Sequence, residues 1–399
     1  MKKVLIINNN LCTGGVQKAL TNLLISISDE YDIDLFLLRN EGQYINDIPS
    51  NVNIINTPKF MRILDLSQAE SKKLGKSYYL LRGGLALFTR IFNNKIPIKF
   101  MCYILGNIGE YDTVISYMQP RPIKQFYGGT NEIALKCTKA KQKVSFVHCD
   151  FKNYGGNCEY NRKLYTKFDK IVTVSDGCRN AIVSEIPIIS NKTLTIKNFQ
   201  NFSDITKQAN SEDVIYEKGY FNLVTVARIA KEKGLDRTLL VIKRLINEEF
   251  KIKWHIIGDG EDWDRINRII DELNLREYVK CYGNKANPYP YIKSADLFLL
   301  PSYHEAAPMV FEEAKCIGVP ILSTETISAK ELVELDGSGI VCGNDEEELY
   351  KNLRYILNNT KLIEELKIGL LSKSFNNNNS FEKFKTLISK DRWNNAIRK

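Results

Sequence analysis

Two carboxylates, Glu305 and Glu313, stand with seven residues between them in PSYHEAAPMVFEEAKCIGVP, residues 301–320. The apolar run Leu297–Leu300 ends at Pro301, and Met309–Ile317 carries apolar residues at helical spacing before Gly318 and Pro320 stop it. That order reads as strand, loop, helix. Pro308 suits the first helical position, where its missing N–H costs nothing. Glu305 then lies in the loop ahead of a helix N-terminus, whose free N–H groups bind oxygen-rich ligands. Glu313 lies about a turn and a half inside the helix. Eight residues span about 12 Å even when all are helical. A glycosidase keeps its two carboxylates roughly 5–9.5 Å apart. The two acids therefore suit separate parts of one long ligand, and a nucleotide sugar has that length. A surface carboxylate ahead of an amphipathic helix is the plainer alternative.

Further groups with chemical potential follow other apolar runs. Arg228 and Lys233 flank a four-residue turn in VARIAKEKG (226–234), ended by Gly234. Two cations just past a strand end suit a diphosphate leaving group, whose charge grows as its bond breaks; an ordinary charged loop has the same letters. Gly14 and Gly15 close the loop NNNLCTGG (8–15), and paired glycines let backbone N–H groups approach a phosphate or sugar closely. It is not a GxGxxG fingerprint, and a plain turn is the alternative. His148 ends the run SFVHCD, where it is placed to hydrogen-bond a sugar hydroxyl or support a departing phosphate. A satisfied core histidine is the alternative there, and the preferred reading of His255 inside WHIIG.

Two alternating strand–helix series position these residues. The first has strands at Val4–Ile7, Asp34–Leu38, Thr113–Tyr117, Val144–Val147 and Ile171–Val174. The second has them at Asn222–Ala227, Lys253–Ile257, Val279–Tyr282, Leu297–Leu300, Pro320–Ser323 and Gly339–Cys342. Their unbroken apolar character suits parallel sheets covered on both faces. The polar stretch Asn198–Tyr220 reads as a linker, and Ser374–Ser380 as a break before a last helix, Phe381–Lys399. The fold class is α/β: two Rossmann-like, doubly wound domains, 1–200 and 201–380. Ligands of such sheets bind outside the strands' carboxyl ends, so an interdomain cleft is the expected site.

The 301–320 block and VARIAKEKG resemble the retaining glycosyltransferases of family four, of the bacterial cell-surface polysaccharide type, which have the two-domain GT-B fold. The resemblance implies that Glu305 and the loop amides at Ala306 and Ala307 grip the donor sugar with Pro308 beside them, and that Glu313 binds the ribose. It implies that Arg228 and Lys233 neutralise the leaving diphosphate, that Gly14 and Gly15 line the donor, and that His148, within an HxD, faces the sugar. Gly258, Tyr282 and Gly283, in IGDGE and CYGNKAN, become candidates for base and diphosphate contacts; tight strand-end turns give the same letters. Residues 1–200 become the acceptor domain and 201–380 the nucleotide-sugar domain, with 381–399 crossing back to the first. The implied donor is a UDP- or GDP-linked sugar acting as substrate, with no cofactor and no metal. One departure is Ala306, where the family usually has Gly; a left-handed backbone there would penalise Ala.

Composition narrows the alternatives. Residues 1–200 hold 27 Lys/Arg against 16 Asp/Glu, and residues 201–399 hold 29 against 31, so the excess positive charge is N-terminal. An anionic partner is implied. No nucleic-acid module is visible, which favours an anionic membrane surface; the saccharide or lipid-linked saccharide acceptor is what the resemblance implies. The segment Tyr78–Phe92 is apolar with Arg82 and Arg90 inside it, and Lys95 and Lys99 follow. It is too short and too charged to span a bilayer. It reads either as an interfacial helix or as a buried helix pair broken at Gly83–Gly84. Nine scattered cysteines without CxxC, and three His, give no metal-site spacing. A cytoplasmic protein, peripheral on the inner membrane face, is the expectation. A nonenzymatic saccharide- or membrane-binding subunit is the competing function.

Overall fold

In the computed structural model, residues 1–389 are described. They divide into two compact units, one of Met1–Phe199 with the segment from Asn377 onward, the other Gln200–Asn376. The first contains a seven-stranded sheet: β1 (Lys2–Asn8), β2 (Tyr31–Leu37), β3 (Asn53–Ile54), β4 (Glu110–Ser116), β5 (Lys139–Val147), β6 (Lys170–Thr173) and β7 (Thr193–Thr195). The second contains β8 (Phe221–Val226), β9 (Ile252–Ile257), β10 (Val279–Cys281), β11 (Leu297–Leu300), β12 (Ile321–Thr324) and β13 (Gly339–Cys342). Every pairing is parallel; β1, for example, pairs Val4 with Ile33 on one side and with Thr113 on the other. The spatial orders are β3-β2-β1-β4-β5-β6-β7 and β10-β9-β8-β11-β12-β13. Central strands such as LFLL of β11 are buried along their whole length, because helices cover both faces.

Several expectations change in the structure. The short edge strands β3 and β7 carry too few residues to show a period. Asn198–Tyr220 is not an unpatterned linker. A helix, Phe202–Ala209, opens where the Asn201 side chain accepts from the Asp204 N–H. Its Ile205 and Ala209, one turn apart, join the second unit's core beside Ile292 and Phe311. Only two apolar residues carry that face, too few to stand out from the polar letters. The last described helix runs Asn378–Ile388 and packs Phe384, Leu387 and Ile388 against Ile6 and Leu35 of the first unit. The remainder of the expected helix, 390–399, lies outside the described residues. Pro308 caps the helix Met309–Ile317 with extended backbone, φ −62° and ψ 124°, and does not occupy its first turn.

The segment around Tyr78 is a single helix, Lys76–Ile91, that passes through Gly83–Gly84 without a break. Glycine weakens a helix by about 1 kcal/mol without blocking it. The segment is not a buried pair: Thr89 is its one buried residue. Arg82 does not face solvent with the other cations. It donates to the Leu66 carbonyl at 2.8 Å and the Phe126 carbonyl at 2.7 Å, anchoring the helix to the domain. Among the described residues no helix is long and apolar enough to cross a membrane.

His255 is a core histidine, as its place inside a strand suggests. Its ring stacks on Tyr216 at 3.6 Å, and its nitrogens meet the Tyr282 hydroxyl and Asn222 Oδ1, each at 3.1 Å. Burial, helped by Lys253 and Lys280, pushes its pKa down to about 4. The unfolded chain, with an ordinary histidine, binds the proton first, so stability falls as pH drops from about 6.5 towards 4. His255→Phe should flatten the decline in Tm between pH 7 and pH 5 relative to the parent protein. A parallel decline in both would mean that His255 titrates normally.

Candidate active site

In the second sheet the order turns round between β8 and β11, with β9 and β10 on one side and β12 and β13 on the other. Crossover helices leave on opposite faces at such a point, and ligands of open parallel sheets bind outside the carboxyl ends there. Those loops carry Arg228 and Lys233 after β8, and Glu305 after β11.

Lys233 Nζ donates to Glu305 Oε1 at 2.5 Å, and Ser302 Oγ donates to the same oxygen at 2.8 Å. The Lys233 and Glu305 side chains are only 18% and 12% exposed, so this charge-assisted pair outweighs a surface ion pair. The backbone repeats the connection, with Tyr303 N–H on the Glu232 carbonyl at 2.8 Å. Thr324 Oγ1 donates to the Ser302 carbonyl at 2.6 Å, fixing the loop to the end of β12. Ser302 and Thr324 are contributions that sequence reasoning missed; neither carries a motif, and 22 residues separate them. Arg228 stands apart from this contact. Its side chain is 60% exposed and pairs with Glu232 and, at 3.5 Å, with Glu261.

Glu313 is buried on the helix Met309–Ile317. The neighbouring Lys315, almost fully buried, pairs with Glu312 at 2.7 Å and Asp336 at 2.5 Å and fixes that helix in place. Ala306 and Ala307 lie half-buried between Glu305 and the helix. Ala306 is not strained: among the described residues, only Glu249 and Asn274 combine a side chain with positive φ. The conformational penalty expected for Ala306 is therefore absent.

The loops after β9 and β10 meet where Gly258 N–H donates to the Gly283 carbonyl at 2.9 Å. Gly258 has φ +143°, and a Cβ there would fall 1.8 Å from the Ala227 carbonyl oxygen, so these loops lie tightly on the one after β8. Tyr282 bonds to His255, meets Tyr291 edge-on at 5.0 Å and has Lys280 over its ring at 4.8 Å.

Gly14, Gly15 and His148 belong to the first unit. Gly14 caps the helix Gly15–Ile27 with extended backbone, and a Cβ there would meet only the Gln17 side chain. Glycine at 14 thus leaves space and relieves no strain. No side chain caps that helix and no acid sits in its first turn. Asn10 sets the loop's path: its Oδ1 accepts from Cys12 N–H at 2.9 Å, and its Nδ2 donates to Asp65 at 2.7 Å. Asp65 is also held by Arg39 at 2.9 Å and the Tyr127 hydroxyl at 2.6 Å. His148 packs its ring 4.7 Å from Tyr117 and 5.9 Å from Phe146, with both ring nitrogens buried. Burial pushes its pKa down to about 3. It is therefore a neutral imidazole at pH 7, suited to a hydroxyl and not to balancing phosphate charge. Asp150 is occupied in its own turn, accepting from Lys152 N–H and Asn153 Nδ2.

Residues 207–369 match the protein family described as "Glycosyl transferases group 1". An uncharacterized glycosyltransferase of Methanocaldococcus jannaschii is 26% identical over 41% of this chain and 41% of its own length. A Campylobacter jejuni relative is 24% identical over 91% of this chain and 92% of its own. It is named N-acetylgalactosamine-N,N'-diacetylbacillosaminyl-diphospho-undecaprenol 4-alpha-N-acetylgalactosaminyltransferase. The alpha-monoglucosyldiacylglycerol synthase of Acholeplasma laidlawii is 30% identical over 59% of this chain and 64% of its own. Among solved structures, Anabaena HepE in complex with UDP and glucose superposes with TM-score 0.66 at 15% identity, covering 97% of this chain and 99% of that one. Staphylococcus aureus TarM superposes with TM-score 0.69 at 13% identity, covering 98% and 100%. The structural likeness shows a GT-B fold.

Gly234 offers a direct check on the packing of the two site loops. Its φ is +64°, and a Cβ there would lie 2.2 Å from the Pro301 carbonyl oxygen. The left-handed backbone alone costs roughly 1–2 kcal/mol for a non-glycine residue, and the clash adds to it. Gly234→Ala should lower the urea midpoint by an amount equivalent to about 2 kcal/mol or more. A parental midpoint would mean that the loops are not packed this closely.

Proposed function

We propose that this glycosyltransferase transfers a sugar, with retention of configuration, from a UDP- or GDP-linked donor to a saccharide or lipid-linked saccharide in cell-surface polysaccharide synthesis. The observation that carries the reading is the shielded Lys233–Glu305 contact, formed by the loops of two adjacent strands where the sheet order reverses. In this reading the donor diphosphate draws Lys233 away from Glu305, with Arg228 alongside. Glu305 and the amides of Ala306 and Ala307 then hold the sugar, and Glu313 the ribose. Gly258, Tyr282 and Gly283 lie towards the base. Within the first unit, the neutral His148 is suited to a sugar hydroxyl, and Gly14 and Gly15 leave space at a helix N-terminus. The bond from the anomeric carbon to phosphate breaks as the acceptor oxygen bonds to the same face. The acceptor proton passes to the leaving phosphate oxygen. No cofactor or metal takes part, because Lys233 and Arg228 supply the charge that the leaving group needs.

Glu305→Gln and Lys233→Ala should each lower kcat at least about tenfold, as expected when an electrostatic contact to a developing charge is lost. Both should still fold, with Tm lowered by the loss of one shielded ion pair and no more, since Lys233 ends a short 3-10 turn and Glu305 lies in a loop. Assays of sugar release and transfer across UDP- and GDP-sugars, with and without EDTA, measure this. Parental turnover in both variants would remove these residues from the site, and loss of activity in EDTA would overturn the metal-free mechanism.

A lipid-linked acceptor is in keeping with the names of the Campylobacter and Acholeplasma relatives. The structural feature that supports it is the helix pair Lys76–Ile91 and Lys95–Leu105. Leu80, Leu87 and Ile91 on the first, and Ile96, Phe100 and Tyr103 on the second, are each at least 58% exposed. Residues 68–105 carry seven Lys/Arg and one Glu. An exposed apolar stripe flanked by cations suits an anionic lipid surface, here the cytoplasmic face of the membrane. The protein should co-sediment with phosphatidylglycerol-containing vesicles at low salt, more weakly at high salt, and poorly with phosphatidylcholine alone. Leu87→Glu with Phe100→Glu should abolish the binding. Equal binding to both vesicle types at all salt levels, or an unaffected double variant, would refute docking through this face.

A further inference from the structure

Arg237 lies in the first turn of the helix Leu235–Asn247, 7% exposed. Among the described residues no carboxylate stands within ion-pair distance of it; Asp236 and Asp345 act on it only through space. Its hydrogen bonds go to uncharged acceptors. Nη2 donates to the Pro301 carbonyl and to Asn344 Oδ1, both at 2.7 Å, and Nη1 donates to the Asn344 carbonyl at 2.9 Å. The Tyr303 ring lies over the guanidinium at 4.0 Å. Asn344 completes the tie, its Nδ2 reaching the Tyr303 carbonyl at 3.0 Å and the Glu325 carbonyl at 2.8 Å.

Burying a cation without a counter-charge opposes folding, and burial lowers the guanidinium pKa from its ordinary value. An apolar side chain of similar length would fill the same space at less cost. What the guanidinium adds is a rigid planar fork. Here the fork joins three places along one sheet edge: the start of the helix behind Lys233 and Gly234, the end of β11 at Pro301, and the residues after β13 at Asn344. The loop between Pro301 and Glu305 is thereby held at its first residue, at Tyr303 and, through Thr324, at Ser302.

We infer that Arg237 is a positioning residue, whose tie to Pro301 and Asn344 fixes the 301–305 loop so that Glu305 meets Lys233. The inference rests on the donor-site reading above. Arg237 has no hydrogen bond to either partner of that contact, so its effect passes through the loop. Such a residue controls the geometry reached during reaction more than the binding of the nucleotide end of the donor.

The test uses Arg237→Met and Asn344→Ala in the full chain. Arg237→Met should keep Tm to within a few degrees, the relief of a buried charge offsetting the loss of donors to Pro301 and Asn344, and should retain the Tm increase given by UDP or GDP, whichever stabilises the parent. Its kcat should fall about tenfold or more, with the donor KM moving by less than about threefold. Asn344→Ala, a change in a partly exposed loop, should shift kcat in the same direction by a smaller factor. A folded Arg237→Met with parental kcat overturns the inference. So does a kcat loss accompanied by lower Tm and a lost nucleotide response, which marks a packing role. Should Arg237→Met fail to fold, the same split in Asn344→Ala decides. A parent without activity on any nucleotide sugar overturns the donor reading itself, and the inference with it.

Discussion

Each sheet runs its strands in one direction and buries its central strands on both faces, and the site loops depend on that burial. Parallel strands send every carboxyl end to one edge, and a core on each face fixes the edge in place. In the second unit that core includes Leu223, Trp254, Leu297, Leu299 and Leu322. Strand ends packed this closely leave little room between successive loops. Hence Gly234 and Gly258 sit where any Cβ would strike a neighbouring carbonyl. The loops bearing Lys233 and Glu305 are in register because the strands beneath them are, with Leu223 opposite Leu297 and Val224 opposite Phe298.

Charge is handled in two ways around this edge. Lys315 is enclosed by two carboxylates, which offsets its burial and anchors the helix bearing Glu313. Lys233 and Glu305 satisfy each other. In the function proposed above, a diphosphate and a sugar are their replacement partners, so that reading exchanges one shielded contact for two. The exchange keeps both charges paired, which a buried site requires. Arg237 has no such carboxylate and depends on carbonyls, an arrangement more favourable to geometry than to stability.

The first unit solves a different problem with its helix pair at 76–105. A helix whose one buried residue is Thr89 gains little from its own domain, yet Arg82 fixes it through two backbone carbonyls. The outcome is a firmly placed apolar surface left exposed among the described residues. Water does not favour such a surface, which is the ground for the lipid docking proposed above. The basic residues around it add a long-range attraction that apolar contact alone lacks.

Runs such as VLII and LFLL are apolar without interruption, and burial on both faces leaves that pattern directly in the sequence. The α/β class, the doubly wound sheets and the loops expected to bear chemistry were legible for that reason. Glu305 and Lys233 were visible as types at a spacing, 72 residues apart, but their contact was not, because strand order and register bring them together. Ala306 departed from the family's usual Gly, which a left-handed backbone would have penalised, and only the backbone φ removed the concern. The helix at 202–209 escaped notice because two apolar residues suffice once a neighbouring helix covers them. Tyr78–Phe92 was apolar in sequence under either reading, and only packing decided that its stripe faces outward. Arg237 looked like any helical arginine, since its three acceptors lie 64 and 107 residues away. Local pattern encodes burial and periodicity, which neighbours in sequence share; contacts across a sheet edge depend on topology, which no short stretch of sequence contains.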